Sequence, residues 1–170
     1  SFVGAALARE TFDLFWPNPT NGVPGVEGIT TMFSYYDADF FLMDDRTFRV
    51  PAKVVTGEPA MLGAAQLDWL IRALKYSSAT FKFVAVGSQV LNTGAVYENL
   101  STMPMERAEL LRRIEEEGIK GVIFLTGDRH FTELSALDLK DGRTLYDLTT
   151  SPLTSGPYTP TETNTLRVEG

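Results

Sequence analysis

The sequence predicts an α/β protein in which a mixed sheet is covered by flanking helices. Short apolar runs alternate with amphipathic segments of helical period, in the order strand, helix, strand, helix, strand and hairpin. Three of the predicted strands stop at polar clusters, and ligands of open sheets bind beyond the carboxyl ends of strands. With 170 residues, 44% hydrophobic and 22% charged, the chain is predicted to form a single domain over residues 1–170.

The N-terminal part is predicted to contain one helix and two strands. Apolar and charged residues recur at helical spacing over residues 3–16, and Pro17 ends this segment. Residues 17–25 are dense in turn formers and predict a surface loop. Strands are predicted at residues 30–33 and 39–43, of which the second is apolar on both faces, as is typical of a central strand.

Two further helices flank the next predicted strand, at residues 81–87. The first covers residues 62–78 and has an apolar stripe made of Leu67, Leu70, Ile71 and Leu74. The second begins at Pro104, runs to Glu117 and ends before Gly118. Its predicted apolar side is made of Met105, Ala108, Leu111 and Ile114.

The C-terminal part is predicted to complete the sheet. A strand at residues 121–126 is followed by a hairpin with strands at residues 133–139 and 145–149. Residues 151–160 are predicted to form a loop.

Composition excludes several classes of function. The net charge of -7 argues against binding to nucleic acids or anionic membranes, which requires a basic surface. The absence of cysteine excludes disulfides, a thiolate nucleophile and metal sites built on sulfur from this chain. No apolar run approaches the length of a membrane span, and the N-terminal residues do not resemble a signal peptide. Because the sequence begins without methionine, we interpret its start as a cut end.

The most informative motif is residues 127–130, Gly-Asp-Arg-His, which directly follows a predicted buried strand and contains the only histidine. If the backbone stays extended there, Asp128 and His130 point to the same side and offer a carboxylate oxygen and an imidazole nitrogen to one metal ion. The same alternation points Arg129 away from them. The alternative is that Asp128 caps a turn and that His130 is an ordinary loop histidine.

Two other polar clusters end predicted strands, at residues 44–46 and 87–89, and we expect all three to converge at one sheet edge. Asp44 and Asp45 are possible neighbours of the site, and Arg46 and Arg129 are its candidate catalytic cations. The alternative for residues 44–46 is an ion pair that ties a loop to the sheet edge. For Arg49, surface charge is favoured over anion binding.

The chain resembles the alkaline phosphatase D, or PhoD-like, metallophosphoesterases. The matching segments are Phe40-Phe41-Leu42-Met43-Asp44-Asp45-Arg46-Thr47-Phe48-Arg49, Leu62-Gly63-Ala64-Ala65-Gln66-Leu67-Asp68-Trp69-Leu70, Ser78-Ala79-Thr80-Phe81-Lys82, Glu106-Arg107, Phe124-Leu125-Thr126-Gly127-Asp128-Arg129-His130 and Leu148-Thr149-Thr150-Ser151-Pro152-Leu153-Thr154-Ser155-Gly156. They run in the family's order.

The resemblance implies a phosphomonoesterase or phosphodiesterase of phosphate-ester substrates, with a four-layer α/β/β/α sandwich and a binuclear centre of calcium, iron or similar cations. It implies that Asp128 and His130 are metal ligands and that Asp44 and Arg46 lie close to them. The family is often exported, but this sequence by itself indicates no compartment.

The family's other ligand motifs precede the region that matches this chain, so the chain resembles the C-terminal half of a catalytic domain. Two donors are fewer than the four to six that a tightly bound cation requires, so the chain alone is predicted to be nearly inactive. An uncovered sheet face or edge would also favour a homo-oligomer.

Two functions of other classes remain. A serine hydrolase would use Ser88 with His130 as its base, but the Gly-x-Ser-x-Gly turn is absent around Ser88. The other alternative is a noncatalytic binding or structural module, in which the carboxylates only satisfy loops.

Overall fold

The computed structural model describes residues 3–20, 22–50 and 57–170, so one residue of the predicted loop at 17–25 lies outside the described residues. The helices are α1 (Ala5–Phe15), α2 (Ala64–Tyr76) and α3 (Pro104–Glu116), and a 3₁₀ turn covers Leu100–Thr102. The strands are β1 (Thr31–Tyr35), β2 (Ala38–Leu42), β3 (Phe81–Ala85), β4 (Val122–Thr126), β5 (Glu133–Asp138), β6 (Thr144–Thr149) and β7 (Arg167–Glu169).

The seven strands form one mixed sheet in the order β1-β2-β3-β4-β6-β5-β7. The central strands β2, β3, β4 and β6 are parallel, whereas β1, β5 and β7 join as antiparallel strands. The predicted mixed α/β fold is therefore confirmed, and β2 is an internal strand as predicted. Because the four parallel strands point the same way, their carboxyl ends meet at one edge of the sheet.

Helices α2 and α3 supply the core that covers one face of the sheet. The predicted apolar stripe of α2 is confirmed, since all four of its residues are buried. The predicted stripe of α3 is wrong in part: Met105 is 64% exposed, and the buried apolar residues are Leu110 and Ile114. The helix is rotated from the predicted phase because Arg107, on its first turns, donates hydrogen bonds to the carbonyl groups of Val90 and Leu91 at 2.8 and 3.0 Å.

The other face of the sheet is apolar and lacks a covering layer among the described residues. Along β2, β3, β4 and β6, burial alternates with a period of two, so every second side chain faces this open side. The rings of Phe33, Phe40 and Phe83 stack across β1, β2 and β3 with centroid distances of 4.8 and 5.0 Å. The remaining side chains of this face are Leu42, Phe81, Ala85, Ile123, Leu125, Leu134, Ala136, Tyr146 and Leu148. We call these twelve residues the open sheet face.

Polar groups lie on the helix-covered side instead. Asp39, Lys82, Glu133 and Asp147 are buried on that face, where hydrogen bonds satisfy them. Burial nevertheless raises the pKa of Asp147, even though the N–H groups of Leu91 and Val90 and the Thr126 hydroxyl donate to it. The helix-covered face therefore combines the apolar core with a few hydrogen-bonded polar groups.

Helix α1 packs loosely in the described structure. The helix predicted at residues 3–16 is confirmed as Ala5–Phe15, but none of its residues is buried. Leu7, Leu14 and Phe15 are between 68% and 77% exposed. No helix in the described ranges is long and apolar enough to cross a membrane.

Candidate functional site

The three polar clusters at strand ends converge, as expected from the parallel strands. Ser88, which follows β3, donates to the Asp45 carboxylate at 3.2 Å. Arg129, which follows β4, donates to the amide oxygen of Gln89 at 3.1 Å. The clusters after β2, β3 and β4 are therefore linked side by side at the carboxyl edge of the sheet.

The Gly-Asp-Arg-His loop does not continue in the extended conformation. Asp128 and His130 both adopt left-handed backbone conformations, with φ values of 67° and 60°, which non-glycine residues rarely occupy. The prediction that an extended backbone points both side chains to the same side by alternation is therefore wrong. Both residues nevertheless line one pocket of about 190 Å³, together with Tyr97, Arg129 and Tyr158.

His130 is fixed from three directions. Its backbone N–H donates to the Ser151 hydroxyl at 3.2 Å, and its carbonyl accepts from the N–H of Tyr158 at 2.8 Å. Its ring Nδ1 lies 3.0 Å from the carbonyl oxygen of Gly156, which requires that Nδ1 carry the proton. The Nε2 lone pair is then available to a ligand. A ring oriented through a backbone carbonyl is the arrangement that metal-binding histidines commonly use.

Arg129 points inward instead of into solvent. Its side chain is 3% exposed and lies 2.6 Å from the Glu162 carboxylate, which is 7% exposed. Its guanidinium carbon also lies 4.8 Å from the ring centroid of Tyr97 and 5.3 Å from that of Phe131. Arg129 is the residue between Asp128 and His130 in the chain, so its inward side chain anchors the loop at its middle. This placement favours a positioning role over direct contact with substrate.

Asp44 holds the loop after β2. Its carboxylate accepts the N–H groups of Ile29, Arg46 and Thr47 and the Thr47 hydroxyl, at 2.6–3.1 Å. Gln66 of α2 fixes the Asp44 backbone through both its N–H and its carbonyl at 2.8 Å. A Cβ at Gly28 would lie 2.4 Å from the Asp44 carboxylate, so this approach requires glycine. Asp44 is thus a buried loop anchor, bound by hydrogen bonds.

Stability should depend on pH through Asp44. Burial raises its pKa, but the hydrogen bonds from Thr47, Arg46 and Ile29 together lower it below the ordinary value of 3.8. A lowered carboxylate pKa stabilises the fold above about pH 4, and this stabilisation is lost as the pH falls through the folded-state pKa. We expect Asp44→Asn to lower the free energy of unfolding by about 1–3 kcal/mol at pH 6 and by less at pH 3.

Urea unfolding at both pH values measures this difference. Glu10→Gln, on the exposed surface of α1, is the control and should unfold like the wild type. An equal loss from Asp44→Asn at pH 6 and pH 3 would show that the ionised carboxylate is not what stabilises the loop.

Arg46 is the exposed cation of the site. Its guanidinium lies 2.8 Å from Glu98 and 3.6 Å from Asp45, and its side chain is 56% exposed. Burial lowers the pKa of Arg46, but the hydrogen bond to Glu98 and the charges of Asp45, Glu98 and Asp128 raise it by more. Arg46 does not line the pocket of Asp128 and His130 and instead lines a second pocket with Asp44 and Asp45. Arg49 also forms an ion pair with Glu98, at 2.7 Å, so its charge is paired within the protein and it is not an anion-binding site.

Metal donors are few in the described structure. No three His, Cys, Asp or Glu side chains of the described residues come together at a distance suited to one metal ion. Asp128 accepts no hydrogen bond from the described residues, and His130 offers Nε2, so these two fit the donor chemistry of a cation. They supply two positions of the four to six that such an ion requires.

Ser88 does not form a nucleophile with His130. It is 3% exposed, and its hydroxyl donates to Asp45. The geometry therefore disfavours the serine hydrolase alternative.

Comparison with protein families matches residues 10–169 to the model of the PhoD-like phosphatases. The chain belongs to the PhoD-like phosphatase family. A search of curated proteins gave no match. The fold is similar to that of the solved structure of PhoD, with a TM-score of 0.71 and 22% identity over 89% of this chain. The chain spans 34% of the length of that PhoD chain.

The segment Glu106-Arg107, which is shared with the PhoD-like family, had no clear role in the sequence but makes defined contacts in the structure. Glu106 lies in the first turn of α3 and accepts the N–H groups of Met61, Leu62 and Gly63 at 2.7–3.1 Å. These residues immediately precede α2, so Glu106 fixes the segment that leads into the neighbouring helix. The resemblance over this segment therefore reflects packing between α2 and α3.

Sequence reasoning missed four residues around the pocket of this PhoD-like chain. Tyr97, Glu98, Tyr158 and Glu162 lie on loops without periodic pattern, and their contacts are made across 29 to 61 residues. The length of the loop between β3 and α3 was the available signal, because long loops at the carboxyl edge commonly carry function.

Proposed function

We propose that this chain contributes the Asp128 and His130 part of a metal-dependent phosphoester hydrolase site. The observation that supports it is the pocket that both residues line at the carboxyl edge of the sheet, in a chain of the PhoD-like phosphatase family. Calcium and iron are the cations that the resemblance to the family implies, and a carboxylate oxygen and an imidazole nitrogen are compatible with them. When bound, such a cation supplies Lewis acidity to the phosphoryl group and to a water nucleophile.

The protein's own residues prepare the site. Gly156 orients the His130 ring through Nδ1, which keeps Nε2 directed outward as an acceptor. Arg46, which is exposed and carries the charge that a phosphate needs, would neutralise the oxygens of a phosphate ester. Arg129, buried against Glu162, fixes the loop between the two donors and contributes to the pocket wall.

We further propose that two donors bind the cation weakly, so that the chain alone hydrolyses phosphate esters slowly. The whole activity requires donors that the described residues do not bring to the pocket. The same scarcity of donors favours the second candidate, a noncatalytic binding module. Metal binding at Asp128 and His130 distinguishes the two.

Because His130 is the only histidine, its ring gives a single set of NMR signals that reports on the site. We expect manganese to broaden these signals when added in less than stoichiometric amounts, since a paramagnetic ion relaxes nearby protons. Asp128→Asn should lower the manganese affinity measured by this broadening by about tenfold. This is the lower end of the loss of affinity seen when a group that supports a metal site is removed. Hydrolysis of p-nitrophenyl phosphate is assayed in the same samples, with calcium and iron.

Asp68→Asn is the matched control, since it removes one carboxylate from an exposed helix surface, and it should leave the broadening unchanged. Equal broadening in Asp128→Asn and wild type would contradict the ligand role of Asp128. Broadening without hydrolysis would support a two-donor half-site, whereas absence of both would favour the noncatalytic module. Turnover at about 10 s⁻¹, an ordinary enzymatic rate, would contradict the weakness proposed for the isolated chain.

A further inference from the structure

The pocket at Asp128 and His130 has an aromatic wall. Of the five residues that line it, two are tyrosines, Tyr97 and Tyr158, contributed by loops 61 residues apart. Their rings are nearly perpendicular, at 85°, with centroids 6.1 Å apart. The Tyr97 hydroxyl donates to that of Tyr158 at 3.2 Å. The two rings thus form a corner beside the donors.

Tyr97 is held in place although it is 64% exposed. Its backbone is left-handed, with a φ of 51°, a conformation that costs energy for a bulky residue and often marks functional sites. Arg129 lies against one face of its ring, 4.8 Å from the centroid, and the residue is nevertheless 64% exposed, so much of the ring is open to solvent. A fixed and exposed ring is preorganised to stack on a planar ligand.

The wall is connected to the donors through the backbone and through Arg129. The N–H of Tyr158 donates to the carbonyl of His130 at 2.8 Å, so the two residues are adjacent across the loops. Arg129, which supports Tyr97, is the residue between Asp128 and His130. The spacing from ring to donors is therefore set by the fold.

We propose that Tyr97 and Tyr158 select phosphate esters that carry a planar ring, with the ring against Tyr97 and the phosphoryl group at Asp128 and His130. This inference rests on the proposed function, because it assigns the organic part of the ester that the site binds. An aryl group and a nucleobase share the required chemistry, a flat π surface attached to a phosphate. Stacking of one such ring strengthens binding by about 5- to 150-fold.

The test is a titration of the chain, followed through the His130 ring signals, with inorganic phosphate, phenyl phosphate and adenosine monophosphate in the presence of calcium. Phenyl phosphate or adenosine monophosphate should bind at least about fivefold more tightly than inorganic phosphate. Tyr97→Leu should remove this preference, which is measured within each variant as the ratio of ester affinity to inorganic phosphate affinity. Tyr97→Phe keeps the ring and should retain the preference, which separates loss of stacking from loss of structure.

Tyr36 provides a matched control within the chain. It has the same φ of 51°, is 93% exposed and meets a second tyrosine, Tyr35, at an interplanar angle of 90°, but it lies at the opposite end of the sheet. Tyr36→Leu should change none of the affinities.

The outcomes separate the two proposals. If inorganic phosphate shifts the His130 signals but the ring-bearing esters bind no more tightly, or if Tyr97→Leu keeps their advantage, the aromatic wall is overturned while the hydrolase proposal stands. If none of the three phosphates shifts the His130 signals, both are overturned. The stronger binder of the two ring-bearing esters identifies whether an aryl group or a nucleobase fits the corner.

Discussion

Arg129→Met is expected to lower the free energy of unfolding by about 3–5 kcal/mol, the loss typical of a buried ion pair from which one partner is removed. The Glu162 carboxylate would remain buried, at 7% exposure, without its cation. Burial raises the pKa of Glu162, but hydrogen bonds from its own backbone N–H and from Arg129 lower it by more. The pKa is therefore below its ordinary value, and the ionised carboxylate depends on these partners. Urea unfolding measures the loss.

Two variants test the cause. Arg129→Met combined with Glu162→Gln should recover most of the lost stability, because no unpaired charge is then buried. Arg112→Met is the matched control, since Arg112 pairs with two glutamates on the exposed surface of α3 and its loss should cost less than about 1 kcal/mol. A cost for Arg129→Met as small as that of Arg112→Met would mean that the guanidinium does not anchor the loop.

Phe41→Ala is expected to lower the free energy of unfolding by about 3–5 kcal/mol, whereas Phe40→Ala should cost about 1 kcal/mol. These neighbours lie on opposite faces of β2. Phe41 is completely buried under the helices, so its removal leaves a cavity in the core. Phe40 stacks on Phe33 and Phe83 on the open sheet face and loses only ring contacts. Urea unfolding of the two variants gives both values.

The same pair tests how the open sheet face behaves in solution. An apolar face of this extent favours association, so we propose that the chain forms homo-oligomers through this face or through the edge strands β1 and β7. Sedimentation velocity should show less association for Phe40→Ala than for wild type. Equal association of Phe40→Ala and wild type would indicate that association occurs through the strand edges instead. Equal losses of stability for Phe40→Ala and Phe41→Ala would contradict the assignment of Phe40 to an uncovered face.

The fold was largely predictable because periodicity records which side of an element is buried. The α2 stripe and the positions of the apolar strands β2 and β4 follow from side-chain hydrophobicity alone. The phase of α3 was predicted wrongly, because inward Arg107 uses its charged group to satisfy loop carbonyl groups, a contact that no local pattern encodes. Strand β7 was missed for a similar reason: three residues are too short for a periodic signal, and β7 exists only through pairing with β5.

The candidate site was predictable only in its composition. Asp128 and His130 could be named from the sequence because a polar motif follows a buried strand, and the convergence of the three clusters follows from parallel strands. Their roles as metal ligands remain predictions. The left-handed backbone of both residues could not be read from the motif, since it depends on Arg129 turning inward to Glu162, 33 residues away.

The sequence by itself determined the α/β class, most of the elements and the resemblance to one family, because these depend on local spacing and on residue types in order. Only the tertiary structure decided that Asp44 anchors a loop, that Nδ1 of His130 is occupied by Gly156, and that Tyr97 and Tyr158 form the pocket wall. Each of these depends on which loops meet at the carboxyl edge of the sheet. Such contacts arise when the strands assemble, and no short stretch of sequence contains them.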